Sequence, residues 1–315
     1  MKVWNFGERE KESQPAVLAL GNFDGVHRGH QHLLRRGKEI AVRRGLPFGA
    51  LLFDPHPLKV LSPEKELNLL SDQETKIRWL GECGVDSVCL IPFDRELADT
   101  PPPDFARRLL LPLGTAHAVV GFNYSFGRGG KGKPEDLRRL GREYGFGVSV
   151  ARAQRLGQRV ISSSAIRASL AEGDLTLAAA MMGRSPCIKG RVEAGDGRGR
   201  RLGFPTANLR LADDLLTPAN GVYAARGLIG GLWYDGMLNV GVRPTFGEGL
   251  PRAIEAHFFD LSQDLYGQEI FLTLELRLRG ERRFASAAAI SAQLREDETA
   301  ARRYLRAPRF SGRIK

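Results

Sequence analysis

Cysteine is scarce in this chain. Cys83, Cys89 and Cys187 are the only three in 315 residues. They are too few and too scattered for a disulfide framework, and none stands in a zinc-type pair, so reduced thiols are expected. Long apolar runs are missing as well: no stretch approaches the ~20 residues that a membrane span needs. The opening MKVWNFGEREKE is too charged for the apolar part of a signal peptide. A cytoplasmic protein with no membrane partner is therefore expected. Aromatic residues make up only 8%, and the most basic loops carry glycine rather than aromatic rings, which argues against nucleic acid as a partner. No internal repeat is visible. Acidic residues are outnumbered, 36 against 47 basic ones, for a net charge of +11. Such a chain attracts phosphates, although arginines at helical spacing, as in LRRGKEIAVRR and DLRRLGREYG, read mostly as solvated helix faces.

What is present is an ordinary globular composition, 42% hydrophobic and 26% charged, in a chain long enough for two hydrophobic cores. Up to residue 183 strand-like runs (PAVLALG, PFGALLF, DSVCLI, AHAVVGF, FGVSVAR) alternate with helical ones, the pattern of a parallel α/β sheet. After Gly183 the helices stop. CIKGRVEAG, GVYAARGLI, LWYDGMLNVGV, RAIEAHFFDL and QEIFLTLELRLRG follow one another across glycine-bearing turns, which predicts an antiparallel barrel or sandwich. One amphipathic helix, about 286–304, comes next, and residues 309–315 read as a basic tail.

The first candidate site is GNFDGVHRGH, residues 21–30, at the carboxyl end of a strand, where open α/β sheets bind ligands. A helix N-terminus there offers free N–H groups and partial positive charge to phosphate. His27 and His30, three apart, add donors on the same side. A plain glycine turn with incidental histidines and a metal pair are the other readings. The metal reading lacks a ligand cluster, since His56 in FDPHP is the only near candidate and its two prolines suit a rigid turn. ISSSAIRASL, residues 161–170, sets three serines and Arg167 around a helix start, suited to oxyanions or to simple capping. GRGGKGK, residues 127–133, has the spacing of a phosphate-binding P-loop, but Pro134 stands where that loop needs Ser or Thr. It reads as a flexible basic loop.

The second candidate is GDGRGRRLGFPTANL, residues 195–209. Its glycines and arginines can wrap phosphates or simply form a hairpin. Thr206 and Asn208 carry hard oxygens of the kind that Mg²⁺ accepts. Glu255, in RAIEAHFFDL, alternates in phase with Ala253 and His257. That phase lets it face the mouth of a barrel, where a carboxylate can take a proton from an attacking alcohol.

Read together and in order, GNFDGVHRGH, FDPHP, GFNYSFG, ISSSAIR, GRRLGFPTANL, GVYAA, NVGVRPTFG, IEAHFFDL and DLYGQEI resemble the bifunctional bacterial riboflavin kinase/FAD synthetase family over nearly the whole chain. The resemblance implies a Rossmann-like nucleotidyltransferase domain for FMN adenylylation (residues 1–183) and a six-stranded Greek-key barrel with a C-terminal helix for riboflavin phosphorylation (residues 184–308). It implies ATP with Mg²⁺ for both steps, and riboflavin, FMN and ATP as the small-molecule partners, with FMN and FAD as products. In the first domain it makes His27, His30 and Arg167 catalytic. Gly21, Phe23, Asp24, Gly25, Asn123, Ser162, Ser163 and Ser164 bind the nucleotide. In the second it puts Thr206 and Asn208 on the metal, makes Glu255 the general base, and counts Gly203, Pro205 and Asn239 among the binding residues. Two departures stand out: Ser125 where the family often has arginine, and GRSPC, residues 183–187, where it often has a Gly-Arg-Pro-Tyr-like stretch. Oligomeric state is not legible.

Overall fold

The computed structural model describes residues 1–7, 14–195, 199, 203–212, 214–241 and 253–306. The tail at 309–315, most of NVGVRPTFG and much of the 195–204 loop lie outside the described residues. The chain divides into two compact units, Met1–Leu67 with Gln73–Ser162, and Asn68–Asp72 with Ser163–Lys315.

The first unit is built from β1 (Lys2–Asn5), β2 (Ala16–Leu20), α1 (Arg28–Arg44), β3 (Phe48–Asp54), α2 (Pro57–Leu61), α3 (Gln73–Glu82), β4 (Ser87–Pro92), α4 (Arg95–Ala98), α5 (Pro102–Phe105), β5 (Thr115–Gly121), α6 (Pro134–Tyr144), β6 (Gly147–Ala151) and the two-residue strands β7 (Arg155–Leu156) and β8 (Arg159–Val160). A wider π-turn, Ala106–Leu110, continues α5. Six strands form one parallel sheet in the order β1-β4-β3-β2-β5-β6. Strand order reverses around β2 and β5, and such a reversal opens a crevice at the carboxyl ends of those two strands. The predicted α/β architecture is the one observed. Buried Val17, Ala19, Phe48, Ala50, Val88 and Val119 on one face, and Leu18, Leu20, Leu51, Cys89 and Ala118 on the other, make the strands apolar on both faces, as a sheet covered by helices on both sides must be. GRGGKGK, expected to be flexible, is tied down. The Arg128 amide and Nε donate to the carbonyls of Thr100 (2.8 Å) and Asp99 (2.6 Å), and Phe126 pairs with Gly132.

The second unit contains α7 (Ser163–Glu172), α8 (Leu175–Met182), β9 (Cys187–Glu193), β10 (Ala207–Leu211), β11 (Gly221–Ile229), β12 (Leu232–Gly241), β13 (Ala253–Phe258), β14 (Glu269–Arg279) and α9 (Ala287–Arg306). The six strands close an antiparallel barrel in the order β10-β13-β12-β11-β14-β9, the predicted barrel with its C-terminal helix. Helix α9 packs on β11, β12 and β14, where Ala301 and Leu305 meet Phe204, Ala224, Met237 and Phe259. The buried carboxylate of Asp297 accepts from Arg279 at 2.8–3.0 Å and fixes α9 to β14. Ser185, in the departing GRSPC, donates to Glu275 at 2.9 Å and so ties the entry to β9 onto β14. Among the described residues no helix is long and apolar enough to cross a membrane.

Candidate active sites

The first site begins where β2 ends. Phe23 (φ 48°), Gly25 (φ 74°) and Val26 (φ 35°) all adopt left-handed backbone. Glycine does so freely, but for a β-branched valine the conformation stores strain, and such strain collects at functional sites. The sharp turn delivers His27 to the N-cap of α1. There its Nδ1 accepts from the amide of His30 at 3.3 Å. An accepting Nδ1 leaves the proton of the neutral ring on Nε2, as a donor. The His27 and His30 rings stack at 3.7 Å, and the edge of His30 meets Phe23 at 5.3 Å. Gly29 is required by this stack: a Cβ there would stand 3.0 Å from His27 Cε1.

His30 is held well below the usual histidine pKa, first by burial, then by the neighbouring His27 and Lys76. It is a neutral ring at neutral pH, and its Nδ1 is buried without a hydrogen-bond partner. Buried polar atoms are seldom left this way. Asp24 is buried in the turn, and α3, which packs on that turn, buries Thr75 and Lys76. His56 caps α2 by accepting from the Leu58 amide at 3.3 Å, a structural employment. Asn123 is exposed in the loop after β5, beside the end of β2, and a Cβ on Gly121 would lie 3.3 Å from its Oδ1. The departing Ser125 is exposed in the same loop.

An aromatic run at this edge of the sheet escaped the sequence reading. Phe53 at the end of β3 meets Phe93 (5.1 Å) and Phe105 (6.5 Å), Phe105 meets Phe126 (5.3 Å), and Phe126 stacks on Tyr124 (5.8 Å). Its members come from β3, the turn after β4, α5 and the loop after β5, so no local pattern announces it. Buried Lys76 was missed too, because α3 otherwise reads as an ordinary amphipathic helix.

Ser162 closes the first unit, whereas Ser163, Ser164 and Arg167 belong to α7 in the second. Arg167 is half-buried and donates to Ser164 Oγ at 3.4 Å.

In the barrel, Asn208 on β10 pairs with Glu255 on β13, and Glu255 pairs on its other side with Asn239 on β12. The three side chains therefore stand in one row on one face of the sheet. Glu255 shares that face with His257, whose partner Met237 packs towards α9. The glutamate thus lies on the outer face of the barrel and not in its mouth, because the residues alternating with it, Ile254, Ala256 and Phe258, take the other side and are fully buried. Gly203 is a left-handed turn residue (φ 84°), and the Pro205 carbonyl lies 2.7 Å from His257 Nδ1. Thr206 and Asn208 are half-buried and each lies over a glycine. A side chain on Gly195 would collide with the Asn208 amide, and a Cβ on Gly199 would stand 3.0 Å from Thr206 Oγ1. Glycine thus lets the loop backbone pack closely on both side chains, and a hydroxyl with an amide carbonyl is a donor set that fits a hard cation.

Both halves of the chain have counterparts in known proteins. The FAD synthetase family model matches residues 9–165 and the riboflavin kinase family model residues 182–305. A bifunctional riboflavin kinase/FMN adenylyltransferase of Escherichia coli (strain K12) is 40% identical over 304 residues, 96% of this chain and 96% of its own. That of Bacillus subtilis (strain 168) is 36% identical over 302 residues, 94% of each. The crystal structure of a macrolide-efflux protein from Streptococcus pneumoniae shares the fold with a TM-score of 0.86, at 29% identity, over 96% of this chain and 99% of that one. With both halves matched in order and at this identity, the chain belongs to the bifunctional riboflavin kinase/FMN adenylyltransferase family.

Proposed function

We propose that the barrel phosphorylates riboflavin to FMN and that the parallel-sheet domain adenylylates the FMN to FAD, each step consuming one ATP, with the functional division at residue 183. The separate matches of the FAD synthetase and riboflavin kinase models support this division. In the adenylylation site an FMN phosphate oxygen attacks the α-phosphorus of ATP in line, and pyrophosphate leaves. The N-terminus of α1, the Nε2–H of His27 and the ring of His30 meet phosphate oxygens whose charge grows in the transition state. Neutral His30 serves as a charge-stabilising group and not as a base. Gly21, Phe23, Asp24, Gly25 and Asn123 line the nucleotide, and Ser162, Ser163, Ser164 and the catalytic Arg167 serve the same reaction.

In the barrel Glu255 accepts the proton of the ribityl 5′-hydroxyl while that oxygen attacks the γ-phosphorus, and ADP leaves. Thr206 and Asn208 would hold Mg²⁺, which when bound neutralises phosphate charge. Gly203, Pro205 and Asn239 border the bound nucleotide and flavin.

The observation that carries the reading is the stack of His27 and His30 at a helix N-terminus, where imidazole donors and free backbone N–H groups gather on one side. The test is chromatography of flavins after incubating the protein with riboflavin, ATP and Mg²⁺. FMN followed by FAD is expected. Accumulation that stops at FMN rejects the adenylylation site, and unchanged riboflavin rejects the phosphorylation site, after which FMN supplied directly tests the other.

A further inference from the structure

The short segment that carries Thr206 is held at three points. On one side the Phe204 side chain sinks into the core under α9. On the other, Ala207 enters the ladder opposite Ala256. Pro205 and Thr206 bridge the gap. Proline has no N–H, so the carbonyl is the one backbone group with which Pro205 can be fixed. That carbonyl lies 2.7 Å from Nδ1 of His257. A carbonyl oxygen can only accept, so the proton of the ring is on Nδ1. The ring is steadied by edge contacts with Phe204 (5.4 Å) and Phe259 (5.9 Å), and Phe259 in turn lies under Arg302 at 4.3 Å. Because the peptide unit is planar, fixing the Pro205 carbonyl also fixes the nitrogen and Cα of Thr206, and Ala207 in the ladder holds the residue from its other side. His257 stands two residues from Glu255 on the same face of the same strand. One strand therefore carries both the carboxylate and the group that orients the hydroxyl donor.

We propose that His257 is a positioning residue for riboflavin phosphorylation: its Nδ1–H bond to the Pro205 carbonyl sets Thr206 beside Asn208, which the strand ladder already holds opposite Glu255. The proposal rests on the reading of Thr206 and Asn208 as the Mg²⁺ ligands. It uses the hydrogen bond and not the charge of the ring, and it separates the bond from the packing. H257N keeps a donor close to the Nδ1 position and gives up the ring. H257F keeps the ring and gives up the donor.

The experiment measures riboflavin phosphorylation by the full chain across a range of Mg²⁺ concentrations, with FMN-to-FAD conversion and thermal melting as controls of folding. In H257F the Mg²⁺ concentration for half-maximal rate rises about tenfold and kcat falls, the size typical of losing a group that orients a metal ligand. H257N stays within about threefold of wild type. FAD formation from supplied FMN is unchanged in both. Wild-type Mg²⁺ dependence in H257F overturns the proposal. So does H257N as impaired as H257F, because the ring would then matter and not the bond. Should H257F fail to melt cooperatively, H257Q, whose longer amide misplaces the donor, gives the same readout. Thr206→Ala in the same assay isolates the premise: unaltered Mg²⁺ dependence there overturns the assignment of the metal site itself.

Discussion

In the parallel-sheet unit the strained turn and both histidines lie within ten consecutive residues, Gly21 to His30. The barrel instead draws on positions 208, 239 and 255, brought side by side by strand register, with Thr206 just before β10. The first arrangement concentrates cost in one place: left-handed Val26, an unbonded His30 nitrogen and buried Asp24 and Lys76 all crowd one helix start. The second spreads the groups over three strands whose own ladders supply the rigidity. The lesson is one of failure modes. A site held by a turn is sensitive to the turn itself. A site held by register is sensitive to single chemical groups, because the scaffold outlasts their removal. If the two sites serve different reactions, each can be lost alone.

The largest expected effect tests that independence in the barrel. Glu255→Gln keeps the shape of the side chain and removes the proton acceptor, so FMN formation from riboflavin falls by about 10²–10⁴-fold. FMN supplied from outside is still converted to FAD, and flavin chromatography reads both steps in one run. Next in size is the reverse case. His30→Ala removes one charge-stabilising group, and FAD formation falls by about 10²-fold while FMN formation continues. A variant that damages both steps equally would show that the two sites do not act separately.

How much of this was legible beforehand follows from the same contrast. GNFDGVHRGH announces itself because glycine, turn and donors are contiguous, and the alternation of strands and helices around it was sufficient to give the parallel sheet. Glu255 could be singled out in the barrel, but its face could not. Period-two alternation says that Glu255 and Ile254 point opposite ways, and only the packing of Met237 and Phe204 under α9 says which way is outward. The aromatic run from Phe53 to Tyr124 and buried Lys76 depend on contacts between elements far apart in sequence, and no local pattern encodes those. GRGGKGK looked flexible from its composition. It is pinned by hydrogen bonds from Arg128 to residues about thirty positions earlier.

Acid should find the first unit through a histidine that the chemistry does not use. His117 on β5 is buried, lies 2.9 Å from Ser149 Oγ, and has an unbonded Nδ1. Burial, followed by the charges of Arg44 and Arg36, lowers its pKa from 6.5 to about 4. Between those values the unfolded chain takes up a proton that the folded chain refuses, so stability is complete above the unfolded pKa and falls as pH drops through the window. From pH 7 to pH 5 the loss is about 2 kcal/mol, or roughly 4–8 °C in Tm for a unit of this size. His30, also shifted downward, adds to it in the same direction. Thermal melts at the two pH values check this: His117→Gln should lose fewer degrees than wild type. An equal loss would show that His117 is not the group being protonated.

The smallest change isolates the turn from the groups it carries. Gly29 donates nothing to chemistry, yet a single methyl there would sit 3.0 Å from His27 Cε1 and 3.5 Å from the Ile161 carbonyl. The carbonyl belongs to the backbone and gives little, so the imidazole must move, and with it the stack on His30. Alanine is otherwise the better helix former, by roughly 0.8–1.0 kcal/mol in a helix interior. Gly29→Ala is therefore expected to leave the melting temperature near that of wild type while lowering FAD formation about tenfold, since the ring must give by a fraction of an ångström and a misplacement of about one ångström in a reacting site costs about 10²-fold. Riboflavin phosphorylation in the same sample should be untouched. A variant that melts like wild type and adenylylates FMN at the full rate would mean that the ring of His27 can shift without consequence. The turn would then be a fold feature, and phosphate recognition would fall to the helix N-terminus and His30 alone.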